Sequence, residues 1–474
     1  MSYALIDNAT LTAVQRVLGV AQSRSRDSVD GDIAALENLV EAILFYDDLV
    51  CMDDYKEEYR VQRKQSFKFL TFLDPASSGF NGIIDQAQNE TDRMRPTIRG
   101  GEFSDEDFRC FLERLRMHTI CTWDISSSVY YLTMKMLGQP DTNEFAKYGQ
   151  LSASIFSELL DSQETNGPDP YRENYQLIDS QGTRIQDGYR IPMAKWGDGS
   201  TGGLTAGLRS FVASLNWLAF KTIYYHFAAR VIHADLFLYP IRQAFHIHWM
   251  QKASIYDADF TASLIKSLSQ HATKEIEAVV QESRPYKVSL DLPFFSAWLV
   301  TETGDVSKVL NTAVELRKDD RFLTARQQLS DLHDRLESSN GNALRKVNEL
   351  KKEIEFSMKQ IRANFGIGEG QRVSTRSLIK VYNAIGPYVA LPNVPEVDLK
   401  IPIPKFMQGF AKKKGMACLY RDIGRDLADI PRLGRARDLL GKKVRLYRDG
   451  EAAYNPKAEV PEYRYAHSQW KSPM

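Results

Sequence analysis

The chain has four cysteines in 474 residues, at positions 51, 110, 121 and 418. That is too few for a disulfide scaffold, and no C-x-x-C pair exists to suggest a zinc ribbon or a thioredoxin-type motif. Reduced thiols in a cytoplasm are the expectation. A net charge is missing as well. Lys and Arg number 61, as do Asp and Glu, so any attraction to a polyanion or a membrane has to come from a local patch. The N-terminus has no basic start followed by an apolar run, so no secretory signal is predicted. The most apolar stretch, 211–229, carries Asn216, Lys221 and His226. A spanning helix wants about 20 mostly apolar residues, and a central Lys costs about 2.5–3.5 kcal/mol. A buried helix of a soluble domain is predicted there. G-x-S-x-G, H-E-x-x-H and the phosphate-loop lysine are all absent, and no solenoid-length repeat occurs.

What remains is ample material for a core. Hydrophobic residues are 43% and aromatic residues 11% of the chain, which excludes a mainly disordered protein. The length suggests roughly two to four domains. Four regions are expected. Residues 1–160 form an N-terminal helical region with an acidic segment. Residues 161–203 are a Gly/Pro-rich insertion with a β-hairpin. Residues 204–365 form a central helical region, and 366–474 a mixed, basic C-terminal region. The predicted fold class is therefore mainly α, a multi-helix body with a small β-hairpin insertion, a long antiparallel helical hairpin and an extended C-terminal region.

The helical readings rest on spacing. Leu11, Val14, Val17 and Leu18 share one face, as do Leu36, Leu39, Val40, Ile43 and Leu44, with Asp30 or Asp32 as the cap. The run Leu49-Val50-Cys51-Met52 is too short to classify between a brief strand and a buried turn. Around 175–193, alternation about Gln181-Gly182 predicts the hairpin. Phe322, Ala325, Leu329, Leu332 and Leu336 form one arm of the helical hairpin. Leu344, Val347, Leu350, Ile354, Met358 and Ile361 form the other, beyond a break at 338–341. The arms either pack on the body or dimerise. Four prolines between 391 and 404 require extended chain.

Charge is segregated. Positions 27–58 hold eleven acidic residues and one basic residue, whereas 405–448 hold thirteen basic and four acidic. The basic end is expected to contact a polyanion or an acidic partner through Lys412, Lys413, Lys414, Arg421, Arg425, Arg435, Arg437, Lys442 and Lys443. Its first partner is expected to be 27–58 of the same or a second copy. Nucleic acid is the next expectation, and a peripheral membrane surface a lesser one. The acidic pairs Asp47-Asp48 and Asp53-Asp54, with Glu37 and Glu41, read as a solvated acidic face.

The loop Gly197-x-Gly199-x-x-Gly202 matches a phosphate-binding pattern ahead of a helix. However, no Asp or Glu lies between 204 and 234 where a ribose contact should fall. Gly197, Gly199, Gly202, Arg209, Arg242 and Arg317 are the candidate anion contacts. His226, His233, His246 and His248 lie among aromatic residues and read as polar fillers of a core rather than metal ligands. No catalytic residue, metal or cofactor is assigned. The stretches Tyr239-Pro-Ile-Arg242 and Ala313-Val-Glu-Leu-Arg317 resemble segments of large bacterial proteins, which implies a bacterial setting. The functional expectation is a non-enzymatic binding or sensor protein that acts through macromolecular partners, in defence against phage. The alternative is an enzyme acting on a phosphorylated substrate or nucleic acid.

Overall fold

The computed structural model describes residues 3–23, 29–93, 97–99, 102–103, 158, 162–167, 176–178, 202–253, 260–283, 293–337, 349–350, 352, 354, 415–427 and 430–446. Most of these are helical, and a small parallel sheet lies at the centre. In chain order the N-terminal part runs β1 (Tyr3–Ile6), α1 (Asn8–Val17), β2 (Gln22–Ser23), α2 (Val29–Phe45), β3 (Asp48–Met52), α3 (Glu57–Ser66), β4 (Thr71–Leu73) and α4 (Ile83–Arg93). Three short strands follow, β5 (Thr97–Arg99), β6 (Glu102–Phe103) and β7 (Gln176–Ile178), which form their own sheet. The chain then continues with α5 (Gly202–Val231), β8 (Ala234–Phe237), α6 (Pro240–Lys252), α7 (Phe260–Ser283) and α8 (Phe294–Thr303). After these come α9 (Val309–Leu316), α10 (Asp320–Glu337), α11 (Met416–Leu427), α12 (Ile430–Gly441) and β9 (Arg445–Leu446).

The central sheet has the order β4-β3-β1-β8 with every pair parallel. It joins residues 3–73 to 234–237. Apart from the run 49–52, the spacing over 1–160 predicts helices and gives no sign of this sheet. Ala4, Leu5 and Ile6 are fully buried, so the strand is an unbroken apolar run with no alternation to betray it. The run 49–52 resolves as strand β3, and the helix faces of α1 and α2 lie in the core as their spacing predicts. From β1 the chain moves one way to β3 and β4, and later the other way to β8. The order therefore reverses between β1 and β8, the place where open α/β sheets form a crevice beyond the carboxyl ends of their strands.

Stretch 211–229 lies within α5, and Leu218, Ala219, Phe220, Ile223, Tyr224 and Tyr225 are buried. Among the described residues no helix is long and apolar enough to cross a membrane. Helix α5 stops at Val231, and His233 sits in the turn before β8 with φ 51°. His226 and His233 therefore do not share a helix. A strand, not a helix, precedes Pro240, which occupies the first position of α6, where its missing N–H costs nothing.

The hairpin expected at 175–193 is described only at β7, which pairs in parallel with β5. Of the helical hairpin, the first arm is α10, and Leu350 and Ile354 of the second are buried. The connecting break and the extended stretch 391–404 lie outside the described residues. The C-terminal segment 415–446 folds back on the body through an apolar face of Met416, Leu419, Tyr420, Ile423 and Leu427. Tyr420 stacks on Phe294 at 5.2 Å, and β9 pairs with β2.

Four acids of 27–58 are not on a solvated face. Asp32, Glu37, Glu41 and Asp54 are buried. Glu37 accepts the backbone N–H groups of Phe295 and Ser296, both at 2.8 Å. It caps α8, whose own cap residue is Pro293, without a side-chain donor or acceptor. Glu41 accepts a hydrogen bond from Ser269 Oγ at 2.9 Å, and Ser269 in turn meets Tyr420 OH at 3.1 Å. The basic segment thus reaches the neighbourhood of α2 through apolar packing and a hydroxyl chain. Lys443 pairs instead with Asp305, at 2.8 Å. The reason is one of magnitude: an exposed ion pair is worth about 0–1 kcal/mol, whereas burying one large apolar side chain is worth about 1.5–3 kcal/mol.

Candidate functional site at the carboxyl ends of the strands

Each central strand ends in a charged turn. Asp7 follows β1, Asp53 and Asp54 follow β3, and Arg242 lies in the first turn of α6 after β8. Asp7 caps α1 by accepting Thr10 N–H at 2.8 Å. Buried Asn8 donates from its amide to Asp54 Oδ1 at 2.6 Å and to the Met52 carbonyl at 3.0 Å. These bonds tie the ends of β1 and β3 together. Lys221, buried in mid-α5, reaches Asp54 Oδ2 at 2.9 Å. Arg63 of α3 is buried too. It bonds Asn8 O, Asn8 Oδ1, Thr12 Oγ1 and Gln15 Oε1, and lies over the Tyr55 ring at 3.6 Å.

A strap of six residues, 162–167, crosses this end of the sheet. Lys56 N–H donates to the Gln163 carbonyl at 2.8 Å and Thr165 N–H to the Asp54 carbonyl at 2.6 Å. Lys221 Nζ holds the Thr165 carbonyl at 2.6 Å. The strap ends on Asn166, with φ 52°, and on Gly167, which is packed against the Trp217 indole. A Cβ at Gly167 would lie 2.1 Å from Trp217 Cζ3. Gly167→Ala should therefore lower stability by about 1–3 kcal/mol, the usual cost of overpacking. Urea melts read this effect, and an unchanged midpoint would show that the indole is free to move.

The strap delivers Glu164 to Arg242. The guanidinium donates to Glu164 Oε1 from Nη1 at 3.1 Å and to Glu164 Oε2 from Nη2. It also donates to Glu158 Oε2 from Nε at 2.7 Å and to Asp7 Oδ2 from Nη1 at 3.3 Å. One buried arginine thus holds three buried carboxylates. Beside them Arg16 forks onto Asp32, with Nε–Oδ2 at 2.8 Å. A small cleft of about 20 Å³ opens here, lined among others by Asn8, Thr12, Arg16, Glu158, Gln163 and Arg242.

Burial pushes the carboxyls of Asp7, Asp32 and Asp54 above their ordinary values. It carries Glu158 to about 7. Glu164 goes the other way. Burial opposes its charge, but Arg242 and then Lys221 pull it down to about 2. Two carboxylates on one guanidinium are thus held in different protonation states at neutral pH, the arrangement that separates a proton-transferring group from a permanent anion. Among the described residues no group of three or more His, Cys, Asp or Glu could hold a metal ion.

Of the residues singled out from the sequence, Arg242 is at this site. Gly197 and Gly199 lie outside the described residues. Gly202 opens α5, which also carries Arg209. Arg317 ends α9, and its carbonyl accepts from Arg326 at 2.8 Å. Lys412, Lys413 and Lys414 lie outside the described residues. Arg421 and Arg425 pair with the adjacent Asp422 and Asp426. Arg435, Arg437 and Lys442 lie on or just beyond α12. His226 Nδ1 and His246 Nε2 meet at 2.9 Å beside Trp249, and burial keeps both rings neutral by lowering their pKa values.

Asp7, Asn8, Glu158, Glu164 and Lys221 were not selected from the sequence. A signal existed for the first two, because an acid directly after a short apolar run is what a strand end at a crevice looks like. No family model matches the chain, and neither the curated proteins nor the solved structures yield a match.

Proposed function

We propose that this chain is an enzyme that binds a small polar molecule in the cleft beyond β1, β3 and β8 and carries out acid–base chemistry through Glu158. The observation that carries the reading is the pair Glu158 and Glu164 on one guanidinium, one carboxyl near 7 and the other near 2. A general acid–base group works best with a pKa near the working pH. In this reading Glu158 moves the proton. Arg242, with Glu164 as its fixed counter-charge, is a positioning residue. Screening purified wild type and Glu158→Gln against amines, nucleosides and phosphate esters tests it. Wild type should turn over one class with a pH profile that breaks near 7, and Glu158→Gln should lose about a hundredfold or more. Full activity in Glu158→Gln, or no turnover of any class, would overturn the proposal.

A second reading, a binding or sensor protein that acts through a polyanionic partner, draws on the outer face of the C-terminal segment. Arg425, Arg435, Lys442 and Arg445 are exposed there while the opposite face is buried. Nucleic-acid binding by the full chain with a steep salt dependence would support it.

A further inference from the structure

The cleft holds about 20 Å³, room for about one water molecule. No substrate fits beside Glu158 while residues 162–167 lie across the strand ends. What fills the crevice is the chain itself. Glu164 is the only buried residue of the strap, and its carboxylate straddles Nη1 and Nη2 of Arg242. This two-oxygen fork is the geometry in which an arginine takes up a free carboxylate. It lies in the first turn of α6, just beyond β8, where open parallel sheets place their ligands.

The strap lacks the apolar anchoring of the rest of the fold. Ser162, Gln163, Glu164, Thr165, Asn166 and Gly167 include no apolar side chain. Apart from Gly167 against the Trp217 indole, polar contacts hold it. Tyr55 and Glu164 form an isolated antiparallel bridge through the Lys56 and Thr165 N–H groups, and Lys221 Nζ holds the Thr165 carbonyl. Each such bond contributes only about 0.5–1.5 kcal/mol net, because water replaces it on opening. Segments with few buried apolar contacts are the ones that open locally.

Charge says what would replace the strap. Arg16 pairs with Asp32 and Lys221 with Asp54. Of the three carboxyls on Arg242, burial raises Asp7 and carries Glu158 to about 7. Glu164 alone is drawn down against burial, by Arg242 and then Lys221. The counter-charge of the guanidinium therefore sits mainly on the strap, and lifting the strap leaves a cation shaped for two oxygens.

We propose that Glu164 fills, from within the chain, the place of a ligand carboxylate on Arg242, and that the strap 162–167 lifts when that ligand enters. The closed form is then self-inhibited, and the ligand is a small carboxylic acid whose far end lies beside Glu158. The inference rests on the cleft being the functional site, but it does not require turnover. It narrows the turnover screen to compounds that carry a carboxylate. With the open form at about 0.1–10% of the population, apparent affinity is lowered about tenfold or more.

Propionate, the Glu164 side chain cut free of its backbone, is the probe. Hydrogen exchange is followed on the full wild-type chain with sodium propionate, sodium phosphate or sodium chloride at equal ionic strength. Saturating propionate should speed exchange of the Lys56 and Thr165 amides about tenfold or more and leave those of β1 unchanged. In calorimetry, Glu164→Ala should bind propionate about tenfold or more tighter than wild type. Unchanged or slowed exchange at Thr165, equal propionate affinity in the two proteins, or opening by phosphate but not by propionate would each overturn the proposal. The exchange measurement needs only wild-type protein, so it decides the matter even if the variant folds poorly. Strap opening by propionate without turnover of any compound would leave this inference intact and defeat the acid–base reading alone. Turnover through Glu158 with a strap that ignores propionate would do the reverse.

Discussion

Arg242→Met should be among the most damaging single substitutions in the molecule. The methionine approximates the aliphatic stem but leaves Asp7, Glu158 and Glu164 buried together without their shared cation. Removing one partner of a buried ion pair costs about 3–5 kcal/mol, because the remaining charge stays desolvated. Here three carboxylates lose one partner, so the loss belongs at the upper end of that range. The effect has a pH signature that a simple cavity lacks. Without Arg242 the low pKa of Glu164 has lost its main cause, so acidification neutralises the cluster and relieves the repulsion. Urea melts at pH 5 and pH 8 should show the larger loss at pH 8, and adding Glu164→Gln should recover part of it. A loss below about 1 kcal/mol at pH 8 would mean the cluster is wet and the guanidinium dispensable.

The second large effect is a fall in stability with rising pH, centred on Glu41. Burial first, and then the neighbouring Glu37, push its carboxyl to about 8. Lys266, half-buried on α7, is shifted downward by burial and held up in part by both glutamates. The other neighbours are the Ser269 and Tyr420 hydroxyls and the N-terminus of α8. A carboxyl whose folded value exceeds its unfolded value stabilises fully below the unfolded value, near 4.5. That contribution drains away as the pH rises from 4.5 to about 8, because over that interval the unfolded state has given up a proton that the folded state still holds. Wild type should therefore lose stability between pH 4.5 and pH 8 and level off above that. Glu41→Gln keeps the acceptor for Ser269 but cannot ionise. It should melt close to wild type at pH 4.5 and increasingly higher as the pH rises to 8. Parallel melting curves for the two proteins across that interval would show that Glu41 does not titrate in the fold.

Both predictions rest on groups that the sequence displayed without explaining. Asp53-Asp54 and Glu37 with Glu41 stood out as charge, and a run of charge reads as a solvated face. Their burial depends on partners 167 to 259 positions away, namely Lys221 for Asp54, Ser269 for Glu41 and the α8 backbone for Glu37. No local pattern encodes a partner at that distance. Arg242 was legible only as a candidate anion contact. That its partners are Asp7, Glu158 and Glu164 follows only from the strap and the strand ends being brought together.

What the sequence determined by itself is local: the helix faces of α1, α2 and α10, the non-spanning character of 211–229, and the opposed charge of the two ends. Each follows from spacing or from a count of side chains within a few turns. The tertiary structure alone decided the parallel sheet, because strands of three to five residues are too short to show a period and find their neighbours only across long crossovers. It also decided which charges are dry. In water an aspartate is simply solvated. At the carboxyl ends of β1 and β3, where packing excludes water, the same residue needs a cation or a proton, and that need is what turns three strand ends and a strap into a site.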